Sequence, residues 1–221
     1  MAVFDRLLVL QSESPASAAL TMAIDEALLE WSSLPAIRFY GWARPSISFG
    51  YFGRLQDVAE FESTHDLVRR WTGGGIVFHG NDLTYSLVVP ISDQARPRMS
   101  EEIYREVHQA LRDALNQLDL GADIVIRRPA AGSNACFASP VLADVMVGDR
   151  KVAGAAHRRT KTGLLHQGSI QNIDLPPSLA HLFANKLSGK PETTALPESI
   201  MDRALTISAT KYGTLDWLKR R

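Results

Sequence analysis

The sequence predicts an α+β fold, in which a mixed and mostly antiparallel β-sheet packs against helices. Strand-like and helix-like segments follow one another without the strict βαβ alternation of a doubly wound parallel sheet. No G-x-G-x-x-G motif opens a helix, which argues against a Rossmann domain. With 221 residues, 45% of them hydrophobic, the chain can fill one sizeable core, so a single domain is expected.

The N-terminal half predicts one helix among short strands. A strand is expected around Leu7 to Leu10, and apolar residues at helical spacing after Pro15 predict an amphipathic helix with Ser14 as its cap. The runs AIRFYGW, SISFGYF and DLVRRWT are rich in β-branched and aromatic residues and predict short strands. A longer strand is expected from Leu83 to Val89.

The C-terminal half predicts a long helix, a hairpin and a helical tail. Regularly spaced apolar residues predict a helix from Ser100 to Leu120. The stretch ADVMVGDRKVAGAAHRR predicts a hairpin that turns at Gly148 and Asp149, and GLLHQGSIQN predicts a partner strand. Next we expect a short helix near His181, a polar connector, and a final helix from about Ile200 to Lys211.

Composition and charge exclude several classes of partner. Lysine and arginine together number 24, and aspartate and glutamate together also number 24. The net charge is therefore zero, and no overall electrostatic field favours binding to nucleic acid or to an anionic membrane. The one cysteine, Cys136, cannot form an internal disulfide, which fits a reducing compartment. The N-terminus lacks a secretory pattern, and no apolar run approaches the roughly 20 residues of a membrane helix. A soluble cytoplasmic protein without nucleic acid or membrane partners is expected.

The glycine-rich stretch RRWTGGGIVFH is the first candidate site. Three consecutive glycines, Gly73, Gly74 and Gly75, suit a tight turn, but they also suit a backbone that a ligand must approach closely. Arg70 precedes the glycines and His79 follows them, so cationic and hydrogen-bonding groups flank the loop. These neighbours favour a site for a phosphate or carbonyl oxygen. A P-loop is excluded because G-x-x-x-x-G-K-[ST] is absent.

The second candidate is Lys151, at the head of the strand after the predicted hairpin turn. A lysine at this point is often only a solvated edge residue. Here small residues such as Gly154 and Ala155 follow it and leave room for a ligand along the strand. The residues from His166 to Ser169 add polar groups on a partner strand. The lysine ammonium is therefore a candidate point charge for an acyl carbonyl or a phosphate.

Cysteine and histidine give weaker signals. Cys136 lies among small residues, and either a buried inert thiol or a nucleophile fits that position. The six histidines form no H-E-x-x-H motif and no close pair, so no metal ligand is assigned. His108 lies in the predicted long helix and is interpreted as a surface group.

Four segments together resemble the lipoate-protein ligase A and octanoyltransferase branch of the biotin/lipoate ligase superfamily. They are RRWTGGGIVFH, LTYSLVVP, GDRKVAGAAHRR and GLLHQGSI, and the likeness extends from about Leu7 to Asn172. It implies a class II synthetase-like catalytic domain with a core at about 7–172 and a helical tail at 173–221. Many ligases of this family carry a separate C-terminal accessory domain, but only 49 residues follow Asn172 here, so we expect that domain to be missing or supplied by another chain.

The first function implied by this resemblance is that of a lipoate-protein ligase. Such an enzyme activates lipoate or octanoate with ATP and Mg²⁺ to acyl-AMP. It then transfers the acyl group to a lysine of a lipoyl domain, for example in a 2-oxoacid dehydrogenase or a glycine cleavage H protein. Lys151 would contact the acyl carbonyl and the α-phosphate. The implied acyl- and nucleotide-binding residues are Arg70, Thr72, Gly73, Gly74, Gly75, His79, Gly154, Ala155, His166 and Gly168.

Two alternatives remain open beside the ligase. ACFASP resembles the nucleophile loop of cysteine-type octanoyltransferases, which would move an octanoyl group from acyl carrier protein through a thioester on Cys136. TGGG at 72–75 resembles the ligase branch and places the ligase first. The minor alternative is a non-catalytic module that binds an acyl-adenylate.

Overall fold

A large sheet and a small sheet form the framework of the chain. A computed structural model describes residues 2–11, 14–91, 99–126 and 141–220. Within these ranges the strands are β1 (Leu7–Gln11), β2 (Ala36–Tyr40), β3 (Ser46–Phe49), β4 (Asp66–Arg69), β5 (Val77–His79), β6 (Leu83–Pro90), β7 (Ala122–Ile124), β8 (Val145–Val147), β9 (Arg150–Arg159), β10 (Gly163–Ile170) and β11 (Pro191–Ala195). The helices are α1 (Ala18–Trp31), α2 (Ser100–Asn116), α3 (Leu179–Leu187), α4 (Glu198–Ile207) and α5 (Leu215–Leu218).

The large sheet is mixed and mostly antiparallel, as predicted. Among the described residues it contains eight strands in the order β11-β1-β2-β6-β10-β9-β8-β7. β1 pairs in parallel with β2 and β11, whereas β6, β10, β9, β8 and β7 follow in antiparallel pairs. The predicted α+β class is therefore confirmed. The small sheet has the order β4-β3-β5, with β3 parallel to β4 and antiparallel to β5.

Helices cover both faces of the large sheet. On one face, α2 buries Ile103, Val107, Leu111 and Ala114, a stripe at helical spacing, in a core that also includes α3. On the other face, α1 and α4 pack together over β2 and β10. Within the described residues, we find no helix with the length and apolar character required to span a bilayer.

Two helix boundaries differ from the predicted ones. α2 ends at Asn116 rather than near Leu120, because the Asn116 side chain binds both backbone groups of Ala122 and closes the turn. Asp119 and Gly121 in that turn have φ values of 57° and 60°. Ser17 caps α1 by accepting from the backbone N–H of Leu20, in place of the predicted Ser14.

The segment after Asn172 is integrated into the fold. α3 lies near the predicted position, but the predicted polar connector contains β11, which pairs in parallel with β1. The predicted final helix, from about Ile200 to Lys211, is divided into α4 and a π-helical segment at Ser208–Tyr212, and α5 follows beyond it. The tail thus completes one edge of the large sheet and covers α1.

Arg69, the first arginine before the glycine loop, is a structural residue. Its side chain is buried and its guanidinium donates to four backbone carbonyl oxygens, those of Tyr51, Gly53, Trp217 and Leu218, at 2.6–3.0 Å. The indole of Trp217 donates back to the carbonyl oxygen of Arg69 at 2.9 Å. Arg69 therefore fastens α5 to the small sheet.

Replacing Arg69 with methionine should lower the free energy of unfolding by about 3 kcal/mol, because four carbonyl oxygens lose their donor. The measurement is urea unfolding followed by circular dichroism. The matched control is Arg203→Met, which removes an exposed ion pair with Glu30 and should leave the unfolding midpoint almost unchanged. Equal midpoints for the two variants would show that Arg69 does not fasten α5.

Candidate active site

A cleft that is partly open to solvent is lined by residues of both sheets and of α1. Two cations line it: Arg70, directly after β4 of the small sheet, and Lys151, on β9 of the large sheet. Both side chains are largely buried, with each residue 6% exposed. Part of the wall is apolar or aromatic and contains Met22, Tyr40, Trp42 and Val77. The two candidate segments of the sequence therefore meet at one cleft.

A buried carboxylate holds Lys151 in place. The Lys151 ammonium lies 2.7 Å from Oδ2 of Asp144, a fully buried residue. Tyr104 donates its hydroxyl to the other carboxylate oxygen at 2.5 Å, and the backbone N–H of Val141 donates to Oδ2 at 2.7 Å. Each carboxylate oxygen thus has a donor, which stabilises the charged pair away from bulk water.

The hairpin of β8 and β9 brings this pair together. It turns at Gly148, whose φ of 56° is favourable for glycine, and Asp149, as predicted. Lys151 pairs with Met146, and a bulge shifts the register so that Val145 pairs with Ala153. Asp144 precedes β8 and therefore lies beside the first residues of β9.

At two glycines beside the cleft, a neighbouring side chain occupies the space that a Cβ atom would take. A Cβ atom on Gly154 would lie 2.5 Å from Cε and 2.7 Å from Nζ of Lys151. A Cβ atom on Gly168 would lie 2.3–2.5 Å from the ring and hydroxyl of Tyr85. Ala155, next to Gly154, donates its backbone N–H to the Tyr104 hydroxyl at 3.2 Å. The absence of these Cβ atoms leaves room for the Lys151 side chain beside β9 and for the Tyr85 ring beside β10.

The glycine loop folds around Arg70. The Arg70 guanidinium donates to the carbonyl oxygens of Gly73 and Gly75, at 3.1 Å and 2.8 Å. Gly74 has a φ of 86°. Its carbonyl oxygen lies so close to Gly50 that a Cβ atom on Gly50 would be only 2.0 Å away. The close backbone approach that the glycines permit is therefore to Gly50 and Arg70. Arg70 lines the cleft, whereas the three glycines do not, so their contact with a ligand stays a prediction.

His79 is buried beside the cleft and has a partner on each ring nitrogen. Its Nδ1 lies 2.7 Å from Asp82 Oδ2, and its Nε2 lies 2.6 Å from Ser48 Oγ. The ring stacks on Trp42 with a centroid distance of 4.1 Å. Burial lowers the pKa of His79, although the hydrogen bond and charge of Asp82 act in the opposite direction. The imidazole is therefore neutral near pH 7.

Thr72 lies behind the cleft wall and reaches it through another residue. Its hydroxyl donates to the side-chain oxygen of Gln167 at 2.7 Å, and the Gln167 amide donates to Asp25 at 2.7 Å. Gln167 lines the cleft, whereas the fully buried Thr72 does not. Thr72 therefore orients a wall residue.

Two histidines are not where the sequence placed them. His166 does not line the cleft, because β10 turns Gln167 and Ser169 toward it and His166 toward Tyr85 on the opposite face. His108 is fully buried rather than a surface group, and its Nδ1 bonds the carbonyl oxygen of Ala143 at 2.6 Å. It shares the buried stripe of α2 with Ile103, Val107 and Leu111.

Cys136 lies outside the residues that the structure describes. Over the described ranges, no group of three histidine, cysteine, aspartate or glutamate side chains is arranged to hold a metal ion.

Sequence reasoning missed Asp144, Tyr104, Ser48 and Asp82. A signal existed for Asp144, since a hairpin that turns at 148–149 places residue 144 opposite the start of β9.

Comparisons with known proteins match the chain to lipoyl protein ligases and octanoyltransferases. The family model of the lipoyl protein ligase A/B catalytic domain matches residues 17–212. Octanoyltransferase LipM of Geobacillus kaustophilus is 38% identical over 177 residues, which are 73% of this chain and 63% of that protein. LipM of Bacillus subtilis is 38% identical over 70% of this chain and 62% of its own length. LipM of Brevibacillus brevis is 32% identical over 92% and 78%.

Solved structures show the same fold. A lipoate-protein ligase A bound with ATP superposes with a TM-score of 0.78 at 21% identity, covering 98% of both chains. A bi-partite lipoate protein ligase from Thermoplasma acidophilum, studied with its E2 lipoyl domain, has a TM-score of 0.74 at 21% identity, with coverage of 98% and 96%. At this identity the likeness confirms the fold and does not carry ATP over to this chain.

These relatives correct the first functional prediction. The sequence interpretation placed an ATP-dependent ligase ahead of a cysteine-type octanoyltransferase because of TGGG at 72–75. The curated relatives at 38% identity are octanoyltransferases, so the ligase prediction is wrong, and the ATP and Mg²⁺ that it required lose their basis. With its family match spanning most of its length, the chain belongs to the lipoyl protein ligase A/B catalytic domain family.

Proposed function

We propose that the chain is an octanoyltransferase that moves an octanoyl group from acyl carrier protein to a lysine of a lipoyl domain. The observation that carries this proposal is the 38% identity to octanoyltransferases LipM. The chain spans 63% of the length of the first of these relatives. The acceptor is a lipoyl domain such as that of a 2-oxoacid dehydrogenase, or a glycine cleavage H protein.

The wall of the cleft offers apolar surface to an acyl chain. Met22, Trp42 and Val77 supply apolar surface, and the small residues Gly154 and Ala155 keep the floor of the cleft open. An apolar slot with a few fixed polar groups is the usual form of a small-ligand site. The octanoyl tail lies along this wall with its carbonyl group toward the two cations.

Lys151 stabilises the reacting carbonyl oxygen. Attack on a thioester carbonyl places negative charge on that oxygen in the tetrahedral intermediate. The Lys151 ammonium is held in place by its ion pair with Asp144, so little reorganisation is needed when the negative charge develops on the carbonyl oxygen. Arg70 contributes a second positive charge at the same cleft.

Cys136 carries the octanoyl group between donor and acceptor. Its thiolate attacks the thioester carbonyl of octanoyl carrier protein, and the carrier thiolate leaves and takes up a proton. The amine of the acceptor lysine then attacks the Cys136 thioester, an amide forms, and the Cys136 thiolate leaves while the amine loses its proton. Both steps exchange one acyl bond for another, so no nucleotide is consumed.

The test is the intact mass of a lipoyl domain after incubation with octanoyl carrier protein and this chain in the absence of ATP. We expect the mass gain of one octanoyl group, and Cys136→Ser should reduce its rate at least about a hundredfold. Parallel incubation with free octanoate and ATP should give no gain. A Cys136→Ser variant with unchanged transfer would reject the thioester route, and absence of any gain would reject the transferase.

A further inference from the structure

A continuous chain of four side chains runs from Arg70 to Asp82. Arg70 donates from Nη1 to Ser48 Oγ at 2.6 Å, Ser48 Oγ lies 2.6 Å from His79 Nε2, and His79 Nδ1 lies 2.7 Å from Asp82 Oδ2. All four residues are buried. Ser48, Arg70 and His79 line the cleft.

The ionised carboxylate of Asp82 determines which group donates and which accepts in each of these hydrogen bonds. Burial raises the pKa of Asp82, but the hydrogen bond and charge of His79 and the hydrogen bonds from Ser169 and Thr84 outweigh it and bring the pKa to about 2. The ionised carboxylate can only accept, so His79 donates from Nδ1. The neutral ring then accepts at Nε2 from Ser48, whose oxygen accepts from Arg70.

Asp82 is itself anchored to the large sheet. Thr84 on β6 and Ser169 on β10 donate their hydroxyls to Asp82 Oδ2, both at 2.6 Å. His79 and Ser48 belong to β5 and β3 of the small sheet. The chain of hydrogen bonds therefore crosses from the sheet that carries Lys151 to the sheet beside Arg70.

We propose that Ser48 and Asp82 are positioning residues for acyl transfer: Ser48 directly, and Asp82 through His79 and Ser48, fix the Arg70 guanidinium relative to Lys151. This inference rests on the proposed octanoyl transfer. Arg70 is held on one side by Ser48 and on the other by the carbonyl oxygens of the glycine loop. Loss of the Ser48 acceptor removes one of these two supports and loosens the cation at the acyl group.

The kinetic test compares two serines of the same strand. Ser48→Ala should raise the KM for octanoyl carrier protein about tenfold, with a smaller change in kcat, because one charge-assisted hydrogen bond is lost. Ser46→Ala is the matched control. Ser46 is also buried on β3, but its hydroxyl bonds only the Arg44 carbonyl oxygen among the described contacts, so transfer should be unchanged.

A second measurement reads the hydrogen bonds without activity. Nitrogen-15 NMR of the histidine side chains should show His79 as the neutral Nδ1–H tautomer at pH 7 in the wild type. Asp82→Asn should convert it to the Nε2–H tautomer, because the asparagine amide can donate to Nδ1. The side-chain signals of Arg70 should shift in Ser48→Ala and not in Ser46→Ala.

The outcomes separate the two proposals. If the wild type moves no octanoyl group, the proposed function fails. The His79 tautomer and the Arg70 signals then decide by themselves whether the hydrogen bonds from Asp82 to Arg70 hold the guanidinium. If the wild type transfers but Ser48→Ala matches Ser46→Ala in KM, the positioning role is overturned. An Nε2–H tautomer of His79 in the wild type would also overturn it.

Discussion

Replacing Lys151 with methionine should lower the rate of octanoyl transfer by about two to three orders of magnitude. Removal of one fixed charge stabiliser from an acyl-transfer site commonly costs this much. We assign this role to Lys151 because its ammonium is buried, paired with Asp144 at 2.7 Å, and faces the cleft. The measurement is single-turnover transfer from octanoyl carrier protein to a lipoyl domain, followed by mass spectrometry.

The same substitution should also destabilise the protein, because it leaves the Asp144 carboxylate buried without its cation. Breaking a buried pair in this way costs about 3 kcal/mol or more. The double variant Lys151→Met with Asp144→Asn removes that charge and should recover most of the stability but none of the activity. A stable double variant with nearly wild-type transfer would show that Lys151 does not act on the acyl group.

Gly154→Ala should produce the second largest loss, about tenfold to a hundredfold in transfer rate, because the added Cβ occupies the place of the Lys151 side chain. The nearest atoms are Cε and Nζ of Lys151, at 2.5 Å and 2.7 Å. These atoms end a flexible side chain, so the protein can relieve the contact by displacing the ammonium from Asp144. Activity should therefore fall more than stability.

The control for this substitution is Gly189→Ala. An added Cβ at Gly189 meets nothing within 4 Å, so neither transfer nor unfolding should change beyond the ordinary surface effect. If Gly154→Ala transfers octanoyl groups as fast as Gly189→Ala, the position of the Lys151 ammonium beside Asp144 is not needed for transfer.

The predictable part of the fold was the part with a strong local pattern. The apolar stripe of α2 and the turn at Gly148 and Asp149 both correspond to elements in the structure. The strand β11 was missed because PETTA has no apolar alternation and most of its residues are exposed. Its pairing with β1 depends on a contact about 180 residues away in sequence, which local propensity cannot report.

The sequence predicted the two cationic residues of the candidate site but not the side chains that hold them in place. Lys151 and Arg70 stood out through their small neighbours, but the buried side chains Asp144 and Ser48 come close to them only through the sheet packing. The orientation of His166 could not be read, because every residue of β10 is buried and the strand shows no alternation. The choice between ligase and transferase depended on relatives rather than on TGGG.

The most direct measurement is the mass of this chain after mixing with octanoyl carrier protein, without ATP and without an acceptor. If Arg70 and Lys151 hold an octanoyl carbonyl for thioester exchange, one octanoyl group will appear on the peptide that contains Cys136, and hydroxylamine will release it. Lys151→Met should form it far more slowly. An unmodified chain that instead makes octanoyl-adenylate from octanoate and ATP would contradict the proposed chemistry.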